Sequence, residues 1–132
     1  FKELNRIKAK SVTVFLDACF SGVNRNNEML LANARPVYLE IDESYTDKVT
    51  VFSAAGSKQI SSSWPEKKHG LFSYFLMKGM KGDADINSDK KLTYGELGEY
   101  IMENVSSTAG LLDREQTPSL STQSENAIFI LY

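Results

Sequence analysis

Cys19 and His69 are the only cysteine and the only histidine in this 132-residue chain. Cys19 lies in residues 11–22, SVTVFLDACFSG, directly after an apolar, β-branched run and beside the small residues Ala18, Ser21 and Gly22. A free thiol with a pKa of about 8.5 is only a few per cent thiolate at neutral pH, so a nucleophilic cysteine needs a nearby base or a positive field. The plainer role for such a cysteine is that of a small buried hydrophobe. Asp17, two positions earlier, projects to the same side of an extended strand as Cys19. A carboxylate there either caps the turn or receives a cationic group through a charge-assisted bond. His69 precedes Gly70 and could complete a Cys/His dyad. Its position at the entrance to an amphipathic segment fits a partly exposed residue near a helix start better.

A second group of oxygen-bearing side chains occupies residues 85–96, DINSDKKLTYGE. Against the twelve-residue EF-hand pattern, Asp85, Asn87 and Asp89 take positions 1, 3 and 5, Lys91 offers a carbonyl at 7, and Glu96 is the bidentate ligand at 12. That spacing predicts a calcium site stabilising the fold. Lys90 departs from the pattern at position 6, where the sharp turn favours Gly. The same residues also read as a capping box, Thr93-x-x-Glu96, which starts a helix without metal.

These side chains need elements to hold them. Val12, Val14 and Leu16 alternate with Thr13 and Phe15, so both faces of a strand over 12–17 are largely apolar, as in the middle of a parallel sheet. In open α/β sheets ligands bind beyond the carboxyl ends of such strands, which is where Asp17 and Cys19 fall. Further strands are expected at 49–53 (VTVFS) and 127–132 (AIFILY). Residues 1–9 read as the end of an amphipathic helix. Leu71, Phe72, Phe75, Leu76 and Met80 fall on one face of a helix over 70–80, and Leu97, Tyr100, Ile101 and Val105 mark another. Residues 20–48, 57–68 and 106–126 read as polar loops. Strands joined by helices predict an α/β layer fold with a largely parallel sheet.

A hydrophobic share of 42% suits a packed core, and a net charge of −2 offers no basic field for nucleic acid or an anionic membrane. No apolar run approaches the ~20 residues of a membrane span. The Cys/His pool of two is too small for a zinc site, which takes about four ligands. A lone cysteine fits the cytosol or another reducing compartment. Phe1 opens directly on a helical pattern, so the chain is expected to be a segment of something longer, in which a signal peptide cannot be assessed.

LDACFSG resembles the cysteine segment of the caspase-like peptidases, which include caspases, metacaspases and bacterial relatives. The metacaspase pattern D-x-C-x-S-G is matched by Asp17-Ala18-Cys19-Phe20-Ser21-Gly22. SAAG at 53–56, HGLFSYFLMKGMKGDAD at 69–85 and the TYGEL-led helix are similar to the second half of bacterial caspase-like domains. The resemblance thus spans nearly the whole chain, as the C-terminal portion of one such domain. It implies a three-layer α/β/α sandwich of caspase-haemoglobinase type with a mostly parallel central sheet. It also implies a cysteine endopeptidase in which Cys19 forms an acyl-enzyme, its backbone N–H contributing to an oxyanion hole. The partner His would come from the N-terminal half of the domain, upstream of Phe1. Asp17 would line the S1 pocket and select Arg or Lys. Zymogen processing would fall in the linker at 23–48, where Arg25, Arg35 and Lys48 are basic sites, and Ser53 and Trp64 would border the substrate cleft. Alternatives are a catalytically inactive caspase-like scaffold, and a calcium-responsive α/β module with an incidental cysteine.

Overall fold

The computed structural model describes residues 2–17, 48–56, 59 and 61–132. Cys19, Arg25, Arg35 and all of the linker but Lys48 lie outside the described residues. A short helix α1 (Lys2–Arg6) leads into β1 (Val12–Leu16), which pairs in parallel with β2 (Val49–Ser53) from Val12↔Val49 to Leu16↔Ser53. Both strands form where β-branched and aromatic residues are concentrated. The β2 residues Val49, Val51 and Phe52 are each 1% exposed, so the apolar run is buried on both faces.

Beyond β2 the chain makes a small hairpin, β3 (Ser63–Trp64) against β4 (His69–Gly70), around a 3₁₀ turn at Pro65–Lys67. Helix α2 (Leu71–Lys78) follows and passes into one π-helical turn, Gly79–Asp83. Gly82, at φ 117°, ends it in a conformation that side chains rarely adopt. A short β5 (Lys91–Thr93) precedes α3 (Tyr94–Leu111). The capping box read from the sequence is formed: Thr93 Oγ1 accepts from Glu96 N, and Glu96 Oε2 accepts from Thr93 N. The N–H groups of Tyr94 and Gly95 are satisfied by the carbonyls of Ala127 and Glu125.

Three expectations are corrected here, the first being the loop at 57–68, which holds β3 and the 3₁₀ turn and buries Ser61 and Ser62. Residues 106–126 are not all loop: α3 runs on to Leu111, because Val105 and Ala109 are fully buried, and β6 (Ser119–Ser121) lies antiparallel to β2. The third apolar strand, β7 (Ile128–Leu131), does not extend a parallel sheet. It pairs antiparallel with β5 in a separate two-stranded ribbon, while the main sheet of the described residues is mixed, in the order β1-β2-β6. The reason lies in the return path. After β6 the chain turns at 122–127, closed by Ala127 N on Ser124 O and Ser124 N on Thr122 Oγ1, and this reversal lays β7 beside β5.

The core joins β2 to the two long helices through Phe52, Leu71, Phe72, Leu97, Ile101 and Val105. Helix α3 approaches β6 so closely that a Cβ on Gly98 would stand 2.7 Å from Leu120 Cδ2. Helices and strands share one core, as in an α/β fold. Among the described residues, no helix is long and apolar enough to cross a membrane.

Candidate functional site

Asp17 follows β1 directly and is half-buried at the carboxyl end of that strand. The neighbouring strand is locked to it, since Ala54 N donates to Leu16 O at 2.8 Å. Two hydroxyls then reach its carboxylate. Ser61 Oγ donates to Oδ1 and Ser73 Oγ donates to Oδ2, each at 2.5 Å. Ser61 is fully buried and comes from the segment after β2; Ser73 sits in the first turn of α2. Both carboxylate oxygens are therefore oriented by donors, one from the segment before β3 and one from α2. Hydrogen bonds to an ionised acceptor are stronger than neutral ones, which fixes the rotamer of Asp17 firmly.

The segment carrying Ser61 is itself anchored from below. Gln116, 2% exposed, accepts from Ser62 N at 2.7 Å through Oε1 and donates to Ala54 O at 2.8 Å through Nε2. Ser62 O in turn accepts from Leu71 N at 2.9 Å, which ties the same segment to the start of α2. Gln59 repeats the device nearer the surface, its Oε1 accepting from Gly56 N and Thr117 N. Ser61, Ser73 and Gln116 are the residues that sequence reading missed. The run SSSW reads as a solvated loop, and Gln116 carries no periodic signal.

The other nominated residues are spread around this centre. Ser53 is opposite Leu16 in the sheet and its hydroxyl donates to Ala55 O. Trp64 stacks edge-on to Tyr74 with ring centroids 5.2 Å apart and lies 5.8 Å from the Phe75 ring. The Lys67 ammonium lies 5.7 Å from the Trp64 centroid, within cation–π range. Trp64 is thus a half-buried packing residue at the hairpin. His69 pairs with Trp64 across that hairpin and is exposed. Lys48 stands at the head of β2, with Nζ donating to Ile7 O at 2.5 Å. A cleft of about 400 Å³ opens at the opposite, amino end of β1 and β2, lined by Lys10, Lys48, Thr50, Tyr94 and Thr122 among others; it does not include Asp17.

The acidic loop is ordered by its own hydrogen bonds. Asp85 Oδ1 and Oδ2 accept from the backbone N–H of Asp89 and Lys90, at 3.2 and 3.0 Å. Lys90 is left-handed at φ 64°, the backbone shape that the sixth position of a calcium loop takes. The donors are the right chemical type for calcium, but they are already engaged. Glu96 Oε1 accepts from Asn87 Nδ2 at 2.7 Å, and Oε2 accepts from Thr93. Asn87 Oδ1 accepts from Asp89 N, and Asp89 Oδ1 from Lys91 N. Among the described residues, no group of three or more His, Cys, Asp or Glu side chains stands together to hold a metal.

Tyr132 closes over this region. Its N–H donates to Lys90 O, and its hydroxyl donates to Gly79 O and Met80 O in the π-helical turn. Burial, followed by the negative charges of Asp85, Asp83 and Glu96, raises its pKa above the usual tyrosine value. Across the same turn Lys78 and Asp83 form a 2.9 Å ion pair; the hydrogen bond to Asp83 is the main reason the Lys78 pKa is raised. No protein-family model and no curated protein matches this chain.

Proposed function

We propose that this chain is the C-terminal part of a caspase-like cysteine endopeptidase that cleaves after Arg or Lys. The observation that carries the reading is the setting of Asp17: two residues before Cys19 and held by two hydroxyls at the carboxyl end of a buried parallel strand. That is the edge of an α/β sheet where ligands bind. A carboxylate fixed there is suited to a charge-assisted, bidentate bond with a guanidinium and repels an acidic side chain. In this reading the central sheet continues beyond β1 into the N-terminal half of a three-layer sandwich, which brings the catalytic histidine.

The chemistry then follows from the residue types. The Cys19 thiolate attacks the scissile carbonyl carbon, the C–N bond breaks as the amine leaves with a proton from the imidazolium, and water hydrolyses the resulting thioester. The test is a peptide panel on the full-length protein, varied only at P1, with an Arg-directed acyloxymethyl ketone as covalent probe. Turnover of Arg and Lys peptides, with labelling lost in Cys19→Ala, is expected. Preference for Asp at P1 overturns the specificity, and absence of both turnover and labelling favours the inactive scaffold.

A second reading concerns the acidic loop alone. The left-handed Lys90 and the backbone N–H groups gathered by Asp85 match the frame of a calcium loop. Asp85, Asn87, Asp89, the Lys91 carbonyl and Glu96 would supply the oxygens. Calcium would have to displace the Asn87–Glu96 bond and offset the Lys90 charge, so the site is expected to be weak and to serve stability. Calorimetry with Ca²⁺ on wild type and Glu96→Gln checks it; no heat from wild type ends the idea.

A further inference from the structure

Both donors to Asp17 hang on one short piece of backbone. Ser61 is adjacent to Ser62, and Ser73 lies two residues beyond Leu71, whose N–H donates to Ser62 O. The other side of Ser62 is held by a side chain from the far end of the chain. Gln116 Oε1 accepts from Ser62 N at 2.7 Å, while its Nε2 donates to Ala54 O at 2.8 Å. Ala54 N is bonded to Leu16 O, immediately before Asp17. The circuit therefore runs from the end of β1, through Ala54, Gln116 and Ser62, to Ser61 and back to Asp17.

The links between Ala54 and Ser61 are shielded from solvent. Ala54, Ser61, Ser62 and Gln116 are 1%, 0%, 5% and 2% exposed. Buried amide groups of this kind must be satisfied, and without Gln116 the N–H of Ser62 and the carbonyl of Ala54 would lose their partner in an interior that water does not reach. A backbone segment so stranded shifts to find new partners, and it carries Ser61 with it.

We propose that Gln116 is the positioning residue of the Asp17 pocket: its buried carboxamide spaces Ala54 from Ser62 and thereby sets both hydroxyls that aim the Asp17 carboxylate at a basic side chain. The proposal rests on the reading of Asp17 as a receptor for Arg or Lys. Gln116 touches no substrate. It acts through Ser62, Ser61 and Leu71, so its removal changes how well the cation is held and not the rate of bond breaking.

The experiment uses full-length protein and acetyl-arginine amide as probe, with affinity read from the amide shifts of Ser61 and Ser73, and peptide kinetics measured in parallel. Gln116→Met keeps the length of the side chain and removes both hydrogen bonds. It is expected to weaken the probe about tenfold and to raise KM for an Arg-P1 peptide by a similar factor, with kcat unchanged. Gln59→Ala cuts the more exposed tie between the same two chain segments and serves as the stability control, with wild-type affinity expected. Should Gln116→Met not fold, Gln116→Asn keeps a polar carboxamide that is one methylene too short to span Ala54 O and Ser62 N, and it is expected to weaken the probe by a similar factor. Wild-type affinity and KM in folded Gln116→Met or Gln116→Asn, or an equal loss in Gln59→Ala, overturns the positioning role. Failure of wild-type protein to bind the probe overturns instead the pocket on which it rests.

Discussion

Asp17 is the residue on which a charge and a shape can be separated. Its two oxygens accept from Ser61 and Ser73, and an asparagine of the same outline keeps the first bond while its Nδ2 donates to a Ser73 hydroxyl that need only rotate. Asp17→Asn is therefore expected to fold normally. On the proposed reading, losing the charge pair between Asp17 and a basic P1 side chain costs about 2–5 kcal/mol, so turnover of an Arg-P1 peptide should fall by roughly two orders of magnitude or more. A neutral-P1 peptide should change little, and steady-state kinetics on the two peptides separate these effects. An equal loss on both would place Asp17 in the fold and not in the pocket. Asp17 was legible in the sequence because it sits two residues from the sole cysteine at the end of an apolar run. Its supports were not, since Ser61 and Ser73 lie 44 and 56 positions away and meet it only when β2 and α2 are packed. Hydroxyl pairing at such separations leaves no periodic trace.

At the scale of elements, the joint between α2 and the acidic loop depends on one phenol. The π-helical turn leaves the carbonyls of Gly79 and Met80 to Tyr132, whose hydroxyl donates to both. Ionisation removes that donor and sets a negative charge beside Asp83, Asp85 and Glu96. Because the folded pKa is raised above the unfolded value of about 10, folding holds the proton more tightly. The stabilisation is thus complete below about pH 10 and is lost as pH rises through the higher folded value. Urea denaturation of wild type and Tyr132→Phe at pH 8 and pH 11 should show wild type more stable at the lower pH, with the difference shrinking at the higher one. An unchanged difference would mean that the phenol titrates alike in the folded and unfolded protein, so that folding does not raise its pKa. The start of α3 could be read in advance, since Thr93-x-x-Glu96 is a local signal complete in four residues. Its end could not. Residues 106–111, SSTAGL, have a loop-like composition, and only the burial of Ala109 against the core carries the helix to Leu111. The three-residue β6 is similarly silent, being held by its register with β2 and by Leu120 lying against Gly98.

At the scale of the whole molecule, the sheet of the described residues is lopsided. β2 is buried in the middle of the order β1-β2-β6, whereas every residue of β1 is only half-buried although its composition is as apolar as that of β2. The parallel strand signalled by VTVFL is thus present but, among the described residues, has a neighbour on one side only. Its hydrogen-bond phase identifies which backbone groups point away from β2. Val12 N donates to Lys48 O and Leu16 O accepts from Ala54 N, so the even-numbered residues face β2 and the N–H groups of Thr13 and Phe15 face away from it. An apolar edge strand with outward N–H groups is a template for another strand. On the caspase-like reading, that strand belongs to the N-terminal half that also carries the catalytic histidine. Hydrogen exchange followed by NMR should then find the Thr13 and Phe15 amides fast in residues 1–132 alone and strongly protected in the full-length protein, with Val14 protected in both. Fast exchange of Thr13 and Phe15 in the full-length protein would leave β1 a true edge, and the half-site at Asp17 would have to find its base elsewhere than along this sheet.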